Sequence, residues 1–225
     1  MPSLDESFPA LLTALASRYG RPAAMPREGF AATVAAWLDR AVEGRRVAAV
    51  LEGLRDAGLL EPDDLAGADP LEVAEALRGA GVSAPAKLVG PLQRLARWAS
   101  DRGSVDALDA VPTDRLREEL RGLNGIGPAS ADAILLFGLR RPAFPVDRAS
   151  FRVLIRHGWL DPSADYDDAR SAWERAAGED PPALARLSSG LEPLGREFCR
   201  AGVAKCERCP LKPFLPANGP LEPDA

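Results

Sequence analysis

Residues 123–153 read LNGIGPASADAILLFGLRRPAFPVDRASFRV, and the fold is decided in this stretch. Gly125 and Gly127 bracket Ile126, and Pro128 follows at a first helical position, where its missing N–H is no loss. A short helix ending at Gly122 precedes the pair and an apolar helix over residues 130–139 follows it, so Ile126 is expected to plug the gap between two helices. The glycines let the backbone turn tightly and expose N–H groups at a helix start, a ready site for a phosphate oxygen. An ordinary helix–turn–helix connection would use the same residues, whereas a dinucleotide-binding fingerprint is excluded because no strand precedes the glycines. Beyond the second helix, Pro142 and Pro145 mark an extended stretch that delivers Val146 and Asp147 to the start of another helix. Asp147 suits the N-cap there. Arg140, Arg141, Arg148, Arg152 and Arg156 surround it, a local basic patch suited to phosphates that would also favour its ionised form.

Outward from this stretch the pattern is helical nearly everywhere. Phe8, Leu11, Leu12, Leu15 and Tyr19 recur at helical spacing until Gly20 and Pro22; Phe30, Val34, Trp37 and Leu38 form a second run. Val47, Val50, Leu51 and Leu54 form a third, ended by Gly58; residues 71–77 and the set Leu88, Leu92, Leu95 and Trp98 give two more. Thr113 is expected to cap the helix that ends at Gly122. Strand alternation and hairpin turns are missing, so the fold class is all-α. The acidic run over residues 161–168 lacks the spacing of a Ca²⁺ loop and reads as caps and turn residues.

Composition narrows the chemistry. The chain has 225 residues, 27% charged, with a net charge of -5, ordinary for a packed globular protein and against a surface that is basic throughout. Its 25 Arg stand against only 3 Lys (Lys87, Lys205, Lys212), a bias that a GC-rich genome produces and that restricts any step needing an amine. His157 is the one histidine, so a serine triad or a multi-histidine metal site has little to draw on. No apolar run reaches membrane-spanning length and MPSLDESFPA lacks the layout of a secretory signal, so a soluble intracellular protein is expected.

The order of hairpin, spacer, Pro-x-x-Pro-Val-Asp and Phe-Arg-Val resembles the helix-hairpin-helix module, with its Gly/Pro-rich loop and aspartate, of the endonuclease III superfamily of DNA glycosylases. The resemblance implies an all-α, two-lobed fold with DNA bound across the cleft between lobes. One lobe would be a six-helix barrel over residues 26–140, with the hairpin at about 113–139. The other would join residues 1–25 to 141–216, leaving 217–225 as a loose tail. Gly125, Ile126, Gly127 and Ser130 would contact the DNA strand, with a monovalent cation on the hairpin carbonyls, and Arg148 and Arg152 would add DNA contacts. Asp147 matches the catalytic aspartate. The implied partner is double-stranded DNA containing damaged bases, met by a monomer in a bacterial cytoplasm, at the nucleoid and away from membranes.

Three departures qualify this. Bifunctional members carry a lysine nucleophile two residues after the second hairpin glycine, where this chain has Ala129; arginine is no substitute, so lyase activity is not expected. Cys199, Cys206 and Cys209 follow the C-x6-C-x2-C spacing of the family's [4Fe–4S] loop, but the fourth cysteine's position holds Leu215. That leaves four readings: a cluster with an outside ligand, a three-iron form, zinc, or a metal-free loop packed by Phe214 and Leu215. The family's gap-filling glutamine has no counterpart; Gly81, Val82 and Ser83 stand nearest a wedge loop, and Trp37, Trp98, Phe144 and Trp159 are base-stacking candidates by type, with core packing the competing role. The expected function is a monofunctional DNA N-glycosylase of base-excision repair, with SADAIL (residues 130–135) similar to some 3-methyladenine glycosylases and so pointing to alkylated purines. The alternative is a catalytically inactive DNA-binding paralogue that recognises lesions or DNA structures.

Overall fold

The computed structural model describes residues 2–20, 29–103, 105–202 and 204–221. Pro22, the expected lobe boundary at residues 25 and 26, and the last four residues of the tail lie outside them. Among the described residues the chain is helical throughout: α1 Leu4–Tyr19, α2 Gly29–Ala41, α3 Gly44–Asp56, α4 Pro62–Gly67, α5 Pro70–Gly79, α6 Ala86–Ser100, α7 Thr113–Arg121, α8 Pro128–Ala133, α9 Arg148–Arg156, α10 Tyr166–Ala176 and α11 Pro181–Glu197. The fold class is all-α, with one isolated antiparallel bridge, Cys199 to Ala204, as the described extended pairing. No described helix is long and apolar enough to cross a membrane. The chain divides into two compact units, Met25–Arg141 and Met1–Ala24 with Pro142–Ala225.

In the unit Met25–Arg141 the core forms around α2, where Phe30, Ala32, Thr33, Val34, Ala35, Ala36, Trp37 and Leu38 are all buried. Such all-round burial suits a central helix. α3, with Leu51 and Leu54 buried, and α6, with Leu92 and Leu95 buried, pack on α2; α5 packs on α3 and α6 through a face that buries Val73 and Leu77, and α7, with Leu116 and Leu120 buried, packs on α8. The helix starts follow sequence rules: Pro62 and Pro70 open α4 and α5, and the Asp69 side chain caps Leu71 N. At α7 the expectation fails, because Pro112 is the N-cap and Thr113 already lies inside the helix. The extended backbone of Pro112 leads straight into the first turn, and its carbonyl accepts Leu116 N–H at 3.1 Å, so no hydroxyl cap is used. Beyond α8 the chain widens into a π-helical turn, Ile134–Gly138, closed by Leu139 N–H on Ile134 O at 3.0 Å.

In the other unit α11 packs against α1 and α9, burying Leu184, Leu187, Leu191 and Leu194 with Leu11 and Leu15 of α1 and Val153 and Leu154 of α9. Ser3 and Glu6 close a capping box on α1, and Asp165 and Asp168 close another on α10. The acidic run is thus caps and turns, with Asp161 accepting from Ser163. Trp37, Trp98 and Phe144 are core residues, each at most 5% exposed. Trp159 stacks on His157 with ring centroids 4.8 Å apart.

Candidate nucleic-acid interface and active carboxylate

The hairpin joins α7 to α8. Gly125 has φ +93°, and a Cβ there would overlap Pro91 Cγ of α6 and stand 3.0 Å from Pro91 Cβ. Both the turn and the close approach therefore require glycine. Gly127 differs: its φ is −78°, and a Cβ would meet nothing within 4 Å. Its openness is what a ligand approaching the backbone needs. Ile126 is 3% exposed and fills the space under the turn, with its N–H on Leu123 O at 2.9 Å. Gly125, Gly127 and Pro128 are exposed; Ala129 and Ser130 are half-buried. Ala131 N–H is the first to bond back, to Gly127 O at 2.9 Å. The N–H groups of Ala129 and Ser130, ahead of it in the first turn, have no intrahelical acceptor and can serve an anion.

Two arrangements in the hairpin escaped the sequence. Asp132, fully buried in α8, pairs with Arg117 Nε of α7 at 2.7 Å and Arg121 Nη2 at 3.4 Å, cross-linking the two helices. Its signal was a carboxylate among Ala131, Ala133 and Ile134 in an apolar helix. Arg94 of α6 donates from Nε to Asn124 O at 2.8 Å, tying α6 to the loop. Asn124 O accepts from Arg94 and Leu123 O from Ile126 N–H, one bond to each of these carbonyls, which leaves a second lone pair on each where a monovalent cation is expected.

In the other unit, Asp147 caps α9: its Oδ1 accepts Ser150 N–H at 2.7 Å, and Ser150 Oγ accepts Asp147 N–H at 2.9 Å. The carboxylate is half-buried and, among the described residues, Oδ2 receives no hydrogen bond, leaving one oxygen oriented and unspent. The preceding segment is fixed from α10. Phe144 N–H donates to Glu174 Oε1 at 3.0 Å, Glu174 is held by Arg170 at 2.5 Å, and the Phe144 ring packs on Trp173 with centroids 5.7 Å apart. Behind α9, a Cβ at Gly195 would overlap that of Ala149, so glycine lets α11 lie close against the start of the capped helix.

No family model matches the chain. It is 32% identical over 163 residues to the DNA glycosylase/AP lyase ROS1 of Arabidopsis thaliana, an alignment covering 64% of this chain and 12% of that far longer protein. It is 28% identical over 200 residues to MJ1434 of Methanocaldococcus jannaschii, named provisionally as a DNA repair glycosylase, covering 87% of this chain and 90% of that one. Among solved structures, a trapped endonuclease III–DNA covalent intermediate matches with a TM-score of 0.70 at 20% identity, over 95% of this chain and 96% of that one. The chain is endonuclease III-like, with the helix-hairpin-helix DNA glycosylase fold.

The endonuclease III-like chain uses its arginines differently from the expected patch. Arg152 donates from Nε and Nη2 to Cys199 O at 3.0 and 2.7 Å. Arg156, 2% exposed, donates from Nη1 to Arg200 O at 3.0 Å and to Cys199 Sγ at 3.4 Å. Arg141 reaches Leu108 O at 2.5 Å and Asp109 at 3.8 Å. Arg148 and Arg140 remain exposed. Arg152, expected on DNA, is instead committed to the cysteine loop, because α9 turns that face toward Cys199. This was invisible in a sequence where the partners stand 47 positions apart.

The same contacts bear on the cluster. The loop lacks a fourth thiol, and the buried Arg156 guanidinium donates to the Cys199 sulfur. Among the described residues no three His, Cys, Asp or Glu are grouped to hold a metal ion. These residues do not fit a four-thiolate cluster. The loop is held by protein contacts: the two arginines, His157 Nε2 at 3.3 Å from Leu211 O, and Leu221 N–H on Arg156 O at 2.9 Å. Burial lowers the pKa of His157 against the pull of the Val153 and Leu211 carbonyls, which lie 2.8 Å from Nδ1 and 3.3 Å from Nε2; a neutral ring donates to one of them.

Proposed function

We propose that this chain is a monofunctional DNA N-glycosylase of base-excision repair, acting as a monomer on duplex DNA that carries damaged bases. The observation that carries the reading is Asp147, held by its own capping box with one carboxylate oxygen unspent. The N–H groups of Gly125, Gly127 and Ser130 would hold a backbone phosphate, with the buried Ile126 shaping the turn beneath them, and Arg148 would add charge. As the bond between C1′ and the base nitrogen breaks, the base leaves with the electron pair and the sugar becomes oxocarbenium-like. The Asp147 carboxylate stabilises that cation and takes the proton of the water that attacks C1′, giving a free base and an abasic site. Ala129 offers no amine, so the reaction stops there and the strand stays intact, unlike the AP lyase step in the name of ROS1. Alkylated purines fit best, because a base already positively charged leaves without protonation by the enzyme.

The test is base release by the purified chain from a panel of lesion-bearing duplexes, with Asp147→Asn alongside. Release of at least one alkylated purine, lost in the variant, supports the reading; no release from any lesion removes it. One observation favours a second reading, the catalytically inactive DNA-binding paralogue: Asp147 already serves as the cap of α9, so its presence does not require catalysis. Tight lesion binding without release would establish that alternative.

A further inference from the structure

Three polar side chains of α6 have separate tasks. Gln93 and Arg97 reach the carbonyls of Ala68 and Ala66 at the end of α4, at 2.8 and 3.1 Å, and so hold that helix in place. Arg94 faces the hairpin. Its Nε is spent on Asn124 O at 2.8 Å, while Nη1 and Nη2 both lie 3.2 Å from where a Cβ on Gly90 would stand, and Nη2 lies 3.7 Å from the corresponding point on Gly125. The guanidinium thus rests along the exposed loop in a fixed orientation. No carboxylate among the described residues pairs with it, although many arginines of this chain have such a partner. Tying down Asn124 needs one N–H and no charge, so the full, unneutralised charge beside the turn is left unexplained by the tie.

We propose that Arg94 is a DNA-phosphate contact built into the hairpin, with Nε locking the loop carbonyl and the two Nη groups offered to a phosphodiester oxygen beside the loop. Guanidinium matches phosphate geometry, and one already held at Nε loses little side-chain freedom on binding. This rests on the reading that the hairpin binds DNA.

The experiment measures duplex affinity of the full chain by fluorescence anisotropy across a series of KCl concentrations, for Arg94→Gln and Arg94→Lys. Each neutralised phosphate contributes about 0.9 to the slope of log K against log salt, about eightfold in affinity at 0.1 M. Arg94→Gln keeps a donor for Asn124 O but loses the charge. It should bind about eightfold more weakly at 0.1 M salt, equally for all sequences, with the slope reduced by about 0.9. Arg94→Lys should keep most of the slope. A wild-type slope in Arg94→Gln, or the full loss of slope in Arg94→Lys, overturns the assignment and leaves Arg94 as a loop tie. If the wild-type chain binds no duplex at all, the glycosylase reading fails first and this inference with it.

Discussion

Alanine at Gly125 and alanine at Gly127 should have opposite consequences, although the two positions look equivalent in Gly-x-Gly. At Gly125, φ is +93°, where an L side chain is strained by about 1–2 kcal/mol. The new methyl would also overlap Pro91 inside α6, and overpacking of this kind costs about 1–3 kcal/mol. Together these give about 2–5 kcal/mol, or a fall in Tm of about 5–20 °C for a chain of this length. At Gly127 the backbone already suits alanine and the space is open. The small loss of N-cap preference is offset by lower unfolded-state entropy, leaving a net effect within about 0.5 kcal/mol. Thermal unfolding followed by helical circular dichroism measures both. Duplex titration of Gly127→Ala then reads the binding role alone: affinity should fall for all sequences alike, because phosphate contacts carry no base information. Equal Tm losses in the two variants, or a normal Tm for Gly125→Ala, would refute the argument.

Breaking the buried pair between α7 and α8 by Asp132→Asn should lower stability by about 1–3 kcal/mol in urea unfolding, since the buried carboxylate is lost and Arg117 keeps the exposed Asp114 as a counter-charge; a loss below about 0.5 kcal/mol would contradict this. His157 sets a pH dependence. Its folded pKa lies below the ordinary value of about 6.5, so as pH falls below that value the unfolded chain takes up a proton that the folded chain refuses. Stability should therefore decline in that window, by up to about 1.4 kcal/mol per pH unit, and His157→Gln should flatten this part of the profile. Borohydride added during turnover should trap no covalent protein–DNA adduct, because Ala129 has no amine to form a Schiff base; efficient trapping on gels would identify a lyase.

The helices were legible because their apolar residues recur at helical spacing and Pro and Gly punctuate the ends, and the all-α class follows from that alone. The positive φ of Gly125 and the burial of Ile126 were also readable from GIG. The difference between the glycines was not, since it depends on Pro91, a residue of α6. Thr113 misled because a hydroxyl before a helix normally caps it, whereas Pro112 already supplies the geometry. The five arginines around Asp147 looked like one patch because a sequence gives proximity along the chain but not direction. In the fold, Arg152 and Arg156 turn to the cysteine loop and Arg141 to Leu108. Glu174 and Arg94 were missed for the same reason: each supports the site through one backbone group, the Phe144 N–H and the Asn124 carbonyl, and such contacts leave no pattern in sequence.

The most direct measurement of the central claim is the single-turnover rate of base release by Asp147→Asn, on whichever lesion the wild type releases fastest. Asparagine is as good an N-cap as aspartate, so α9 and the Tm should be preserved while the negative charge disappears. The account predicts a rate lower by at least about 100-fold, the usual loss when one preorganised electrostatic group is removed, with duplex affinity close to wild type. A folded Asp147→Asn chain that releases the base at the wild-type rate would contradict it.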